Sequence, residues 1–198
     1  MLPENALKTL HDLTSDETDI IVGFSWQGEN SVSQVPIAEW HRLMLQSNPI
    51  LCTRWAKLYR RCLLNEQTMS GLPSIKLGED MIQNIKVAFK MLKPVTVVQS
   101  KVYEYNRNDG SYSNSYRWTV EKCNTLYKAV QDSVPGSEKD TMIYQRAIVA
   151  NGLGMLRTVI LKGSDSERRK LSGSEFVALL RTDAEKTGYQ LSASEKKY

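Results

Sequence analysis

Long apolar runs, glycosylation sequons and catalytic motifs are all missing from this chain. No stretch of about eighteen consecutive apolar residues occurs, which excludes a membrane-spanning helix. The opening residues, MLPENALKTLHDLTSDETD, lack the basic region and apolar core of a signal peptide. No Asn-x-Ser/Thr acceptor is present. Cysteine is scarce: Cys52, Cys62 and Cys123 are an odd number at wide spacing, which reads as reduced thiols and not as a disulfide framework. These absences describe an intracellular, cytoplasmic protein, with a nuclear site left open by the basic run Arg168-Arg169-Lys170.

Catalytic signatures are equally thin. There is no GxxxxGK[ST], hence no P-loop. NGLGMLR, 151–157, has Gly-x-Gly but carries Arg157 where the third glycine of a dinucleotide fingerprint belongs, and it follows a helical pattern. GFSWQG, 23–28, has Gln27 where a nucleophile elbow needs glycine. His11 and His41 stand far apart, and neither joins a cysteine at metal-ligand spacing. Cys62 falls on an apolar stripe and reads as core. The expectation is a non-enzymatic protein with no cofactor and no metal.

What is present is an ordinary globular composition: 198 residues, 41% hydrophobic and 24% charged, enough to bury a sizeable core. A single domain over 1–188 is expected, with the helix at 172–187 as a loosely docked end and 189–198 as a flexible tail. The net charge of +4 is unevenly spread. Residues 1–47 hold seven acids and two bases, residues 48–128 thirteen bases and six acids. A basic middle suits a polyanion, and an acidic end against a basic middle suits association of identical subunits.

The periodicities predict α+β architecture, predominantly helical, with two antiparallel β-hairpins at about 19–35 and 95–120. DIIVGFSW reads as a buried strand and SVSQV as its return. Pro36 and Pro49 each open a helix, the second spanning 49–65. A third helix covers about 77–93, stopped by Pro94. Glu121 to Ser133 is helical. The apolar segment 138–161 reads as a helix kinked or split at Asn151-Gly152 and Gly154, and 163–170 as a loop. Ser172 with Glu175 forms a capping box for the last helix, which ends at Gly188.

Two features carry a binding reading. The first is KVYEYNRNDGSYSNSYRW, 101–118, turning at Asp109-Gly110. With those two as loop residues, Arg107 faces Tyr112, Tyr105 faces Asn114, Tyr103 faces Tyr116 and Lys101 faces Trp118, all on one side of the ribbon. Such a surface stacks bases and meets phosphates. The ordinary alternative is that this face is core. The base of the hairpin suits the core, and the tip, with Tyr105, Arg107 and Tyr112, suits a partner. Arg117 lies on the other face.

The second feature is a pair of basic stripes. In the expected helix 49–65, Leu51, Trp55, Leu58 and Cys62 form an apolar arc, Arg54, Lys57 and Arg61 a basic one, and Arg60 sits further round. In the next helix Met81, Ile85, Ala88 and Leu92 line one face and Lys86, Lys90 and Lys93 another. Three cations in a row can follow a phosphate backbone, although most such stripes are solvated faces. Arg168, Arg169 and Lys170 add a third cluster. The expected function is nucleic-acid binding, RNA over DNA because no duplex-reading signature occurs, with single-stranded RNA or another polyanion as partner. The alternative is a self-assembling structural subunit of coat, nucleocapsid or matrix type, or part of a larger complex, and a homo-oligomer suits either.

Overall fold

The computed structural model describes residues 2–23, 31–46, 51–70, 78–104 and 116–191. Among these, eight α-helices and one four-stranded mixed sheet form an α+β fold. The strands are β1 (Ile20–Gly23), β2 (Val32–Val35), β3 (Lys57–Tyr59) and β4 (Val95–Val98), in the order β2-β4-β1-β3. β1 and β4 run parallel at the centre, with Ile20 opposite Val95 and Gly23 opposite Val98. β3 is antiparallel to β1, and β2 antiparallel to β4.

Two antiparallel pairs therefore exist, but neither is a hairpin of the expected segments. β2 does not return onto β1, because β4 lies between them. The burial pattern explains the insertion. IIVG and VTVV are wholly buried and must be covered on both faces, so they take the centre; VSQV is mostly exposed and takes an edge. In the expected second hairpin, 95–98 is a strand, whereas 99–104 and 116–119 are not, and 105–115 lies outside the described residues. Tyr103 and Trp118 do not share a face. Tyr103 packs with Ala6, Leu10 and Val102 on one side of the sheet, Trp118 against the helical core on the other.

Helices α1 (Ala6–His11), α2 (Ile37–Leu45), α3 (Glu66–Met69), α4 (Glu79–Ala88), α5 (Val120–Asp132), α6 (Met142–Lys162), α7 (Asp165–Lys170) and α8 (Glu175–Thr187) complete the fold. α1 covers one face of the sheet, and Ile20, Val22, Val95 and Val97 meet the large helical core on the other. Phe176 and Leu180 anchor α8 in that core.

The expected helix 49–65 is not formed. Residues 51–56 are turns, β3 follows, and a 3-10 turn spans Arg61–Leu63. Ala56 adopts φ 59, a left-handed conformation that a helix interior does not tolerate. The apolar residues at helical spacing are divided between the two sides of the sheet. Trp55, Ala56 and Leu58 join the α1 side, while Leu51, Cys52, Tyr59 and Leu63 join the helical side. The open edge of β1 recruits this segment, and pairing overrides its helical spacing. Cys62, expected in the core, is exposed.

Three further expectations are corrected. α6 runs 21 residues without interruption through Gly152 and Gly154. A Cβ at Gly152 would stand 2.7 Å from side-chain atoms of both Leu180 and Tyr127, so this glycine lets α5 and α8 approach α6 and does not break it. The segment 163–170 contains α7, capped by Ser164 Oγ accepting from Glu167 N. The cap of α8 is Ser174, accepting from Val177 N, in place of Ser172. Gly188 ends α8 at φ 56, as the sequence suggests.

Candidate nucleic-acid interface

The fold sorts the expected cations by what holds them. Arg54 turns onto α4, with Nε 2.5 Å from Asp80 Oδ1 and Nη2 3.7 Å from Glu79 Oε1. Lys57, on β3, points inward. Its Nζ donates to Thr53 O and Trp55 O, and burial brings its pKa down to about 8. The same burial pushes the neighbouring Cys52 thiol up to about 12 and raises Tyr59, whose hydroxyl donates to Asn84 Oδ1 at 2.7 Å. Arg54, Lys57 and Arg61 thus form no stripe: the first is paired, the second is half-buried with its ammonium on backbone carbonyls, and Arg61 is exposed on the 3-10 turn.

Lys101 pairs with Glu104, Arg168 with Asp165, and Lys170 with Glu167 at 2.7 Å. Arg168 also donates to Gly163 O at 2.8 Å, so it caps the carboxyl end of α6. Arg169 is exposed in a groove that Glu121, Glu167 and Glu175 also line. Glu167 already accepts from Val120 N, at the start of α5. Arg117 is exposed, beside the edge-to-face pair Tyr116–Trp118 and Lys122 over the Tyr116 ring. Tyr105, Arg107 and Tyr112 lie outside the described residues.

The remaining cations gather at one place. Lys86 Nζ reaches Ser70 O at 3.0 Å, and Lys90 Nζ lies 3.5 Å from Gln67 Oε1, so both flank α3. α4 ends at Ala88; Lys90 and Lys93 lie in the turn beyond it, which carries Leu92 outward at 86% exposure instead of into the core. Lys93 Nζ donates to the backbone of Asp16. Arg60 meets the same segment: Nη2 donates to Ser15 O at 2.8 Å and Thr18 O at 2.9 Å, and Nη1 is 3.9 Å from Asp16 Oδ1. Among the described residues, Arg61, Lys86, Lys90 and Lys93 have no carboxylate partner. Lys86, Lys90 and Lys93 line a basic ledge along α3 and the α4–β4 turn, and Arg61 is exposed on the 3-10 turn that precedes α3.

No protein-family model, curated protein or solved structure matches the chain. The ledge is therefore read from its own chemistry. Among the described residues, no three His, Cys, Asp or Glu side chains are grouped to hold a metal ion. No described helix is long and apolar enough to cross a membrane.

Asp19 holds the ledge in place, and the sequence reading passed over it. It is buried at 6% exposure; Oδ1 lies 3.1 Å from Arg60 Nε, and Oδ2 accepts from Leu92 N at 2.8 Å and Lys93 N at 3.0 Å. One carboxylate thereby ties Arg60 to the turn that bears Lys90 and Lys93. The available signal was an acid placed directly before a fully apolar strand, where a charge is buried only if it is paired.

Proposed function

We propose that this chain is a non-enzymatic nucleic-acid-binding protein that holds single-stranded RNA along the ledge of Arg61, Lys86, Lys90 and Lys93, with Arg60 at its end. One observation carries the reading: Arg61, Lys86, Lys90 and Lys93 have only neutral partners or none among the described residues, while Arg54, Lys101, Arg168 and Lys170 are matched by carboxylates, and Arg60 at the end is held by Asp19. Cations held by carbonyl and amide oxygens keep their charge available to phosphates. The reading places the protein in the cytoplasm, where the exposed Cys62 thiol stays reduced.

The test is fluorescence anisotropy with a labelled single-stranded RNA across a salt series. Four neutralised phosphates give a log–log salt slope of about −3, at roughly −0.7 each. Replacing Lys86, Lys90 and Lys93 together by Glu should abolish binding with the circular dichroism spectrum unchanged, whereas Arg54→Glu should leave RNA affinity close to wild type. Equal affinity in the triple variant would remove the ledge as the binding surface.

A second reading, self-assembly as a coat- or matrix-like subunit, draws support from β2. Among the described residues this strand is an uncharged, exposed edge with Val32 and Val35 at its ends, and an unguarded edge invites another strand. Light scattering over a concentration series tests it. A monomer at all concentrations would set it aside.

A further inference from the structure

Beside the ledge, an open cavity of about 390 Å³ lies between the 14–19 segment and the β1–β3 edge, within the size range of small-ligand sites. Ile21 and Leu58, partners across β1 and β3, supply its apolar wall. Most polar groups of the lining are already engaged. Thr14 Oγ donates to His11 O, Thr18 Oγ to Ile20 O and Pro94 O, and Tyr59 Oη to Asn84. Two groups stay open. The Asp16 carboxylate is 97% exposed, and Arg60 Nη1 stands 3.9 Å from it. Nη2 donates to Ser15 O and Thr18 O, and Nε lies 3.1 Å from Asp19 Oδ1 as an ion pair without a hydrogen bond, so the two Nη2 bonds set the direction of the Nη1 edge.

We infer that this cavity reads a guanine base of the bound RNA. The inference rests on the ledge reading, since the ledge would deliver the strand to the cavity. A fixed donor beside a carboxylate with two acceptor oxygens matches one nucleobase edge best. Guanine presents the O6 acceptor next to the N1–H and N2–H donors, so Arg60 Nη1 donates to O6 while Asp16 accepts from N1 and N2. Uracil offers only one donor to the carboxylate. Adenine and cytosine place an acceptor ring nitrogen beside their amino group, opposite Asp16, which repels it. The base plane lies against the half-buried Leu58, and the strand leaves along Lys93, Lys90 and Lys86.

The experiment compares labelled decameric RNAs: oligo(U), and the same host carrying guanine, adenine or cytosine at alternate positions. The readout is the ratio of affinities, because removing the Asp16 charge also alters general attraction to phosphate. Wild type should prefer the guanine oligomer by at least about fivefold, the lower end of what a bidentate base contact is worth. Asp16→Asn should collapse that ratio toward one. Equal affinities for all four RNAs in wild type, or a guanine preference kept by Asp16→Asn, overturns the inference and leaves the ledge standing. If no RNA binds even at low salt, the ledge reading itself falls. The cavity is then judged by titrating guanosine monophosphate into the protein. Amide shifts at Ser15, Asp16 and Arg60 with this nucleotide and not with cytidine monophosphate support the inference; their absence ends it.

Discussion

The carboxylate of Asp19 and the guanidinium of Arg60 meet at 3.1 Å at the margin of the sheet, the first fully buried and the second 36% exposed. The pair joins the start of β1 to the residue that follows β3. Through its second oxygen Asp19 also ends the orphaned amides after α4. Asp19→Ala leaves Arg60 and two backbone donors without this partner. Loss of a fully buried partner costs about 3–5 kcal/mol; with water reaching Arg60, about 2–3 kcal/mol is expected. Urea unfolding measures the loss, and on the proposed reading RNA affinity should fall with it because the Leu92–Lys93 turn is released.

Gly152 and Gly154 sit two residues apart on α6 and should respond oppositely to alanine. Gly152→Ala drives a methyl against Leu180 and Tyr127, an overpacking that costs about 1–3 kcal/mol. Nothing stands within 4 Å of a Cβ at Gly154, so Gly154→Ala should stabilise by about 0.5–1 kcal/mol through helix propensity. Thermal unfolding of the two variants side by side checks both signs.

His41 is buried where α2, α4 and α6 converge. Its Nε2 faces Ala88 O at 2.9 Å, and a carbonyl only accepts, so Nε2 carries the proton and Nδ1 accepts from Tyr144 Oη at 3.0 Å. Burial lowers its pKa below 6.5, with Glu138 opposing in part. The unfolded chain therefore takes up this proton at a higher pH than the fold does. The contribution is complete above about pH 6.5 and is lost as pH falls through the lower folded value, by up to about 1.4 kcal/mol per unit. Urea midpoints should drop across that window in wild type and less in His41→Gln, which retains a donor toward Ala88.

Lys57 gives a second pH signature. Its folded pKa of about 8 lies under the ordinary 10.5 because burial disfavours the ammonium. Holding it charged at neutral pH costs stability, and that cost disappears as pH rises from about 8 toward 10.5. Lys57→Met should be more stable than wild type at pH 7, and the gap should narrow over that window. Cys52 and Tyr59 titrate oppositely in both proteins, so the difference isolates Lys57 together with its coupling to Cys52. A constant gap across the range would mean that the ammonium is hydrated.

Much of the helical pattern was legible because it is local. Pro36 before α2 and Gly188 after α8 act within one turn of the chain, and each stands at a helix end. Strands β1 and β4 were legible as short apolar runs. The cations were legible as charges, but their grouping was not. Lys57 and Arg61 were assigned to one helix face, and the chain puts them on a strand and a 3-10 turn.

The amino-acid sequence by itself determined the α+β class, the helix punctuation at 36 and 188, and the surplus of positive charge in the middle of the chain. These follow from backbone chemistry and side-chain ionisation, which act over a few residues or none. Only the tertiary structure decided which strands are neighbours, that Lys57 turns inward, and that Asp16, Asp19, Arg60 and Lys93 meet at one margin of the sheet. Those outcomes depend on covering both faces of β1 and β4 and on pairing a buried carboxylate. Each is a balance of burial and desolvation across more than 70 residues of chain between Asp19 and Leu92, beyond the reach of any local pattern.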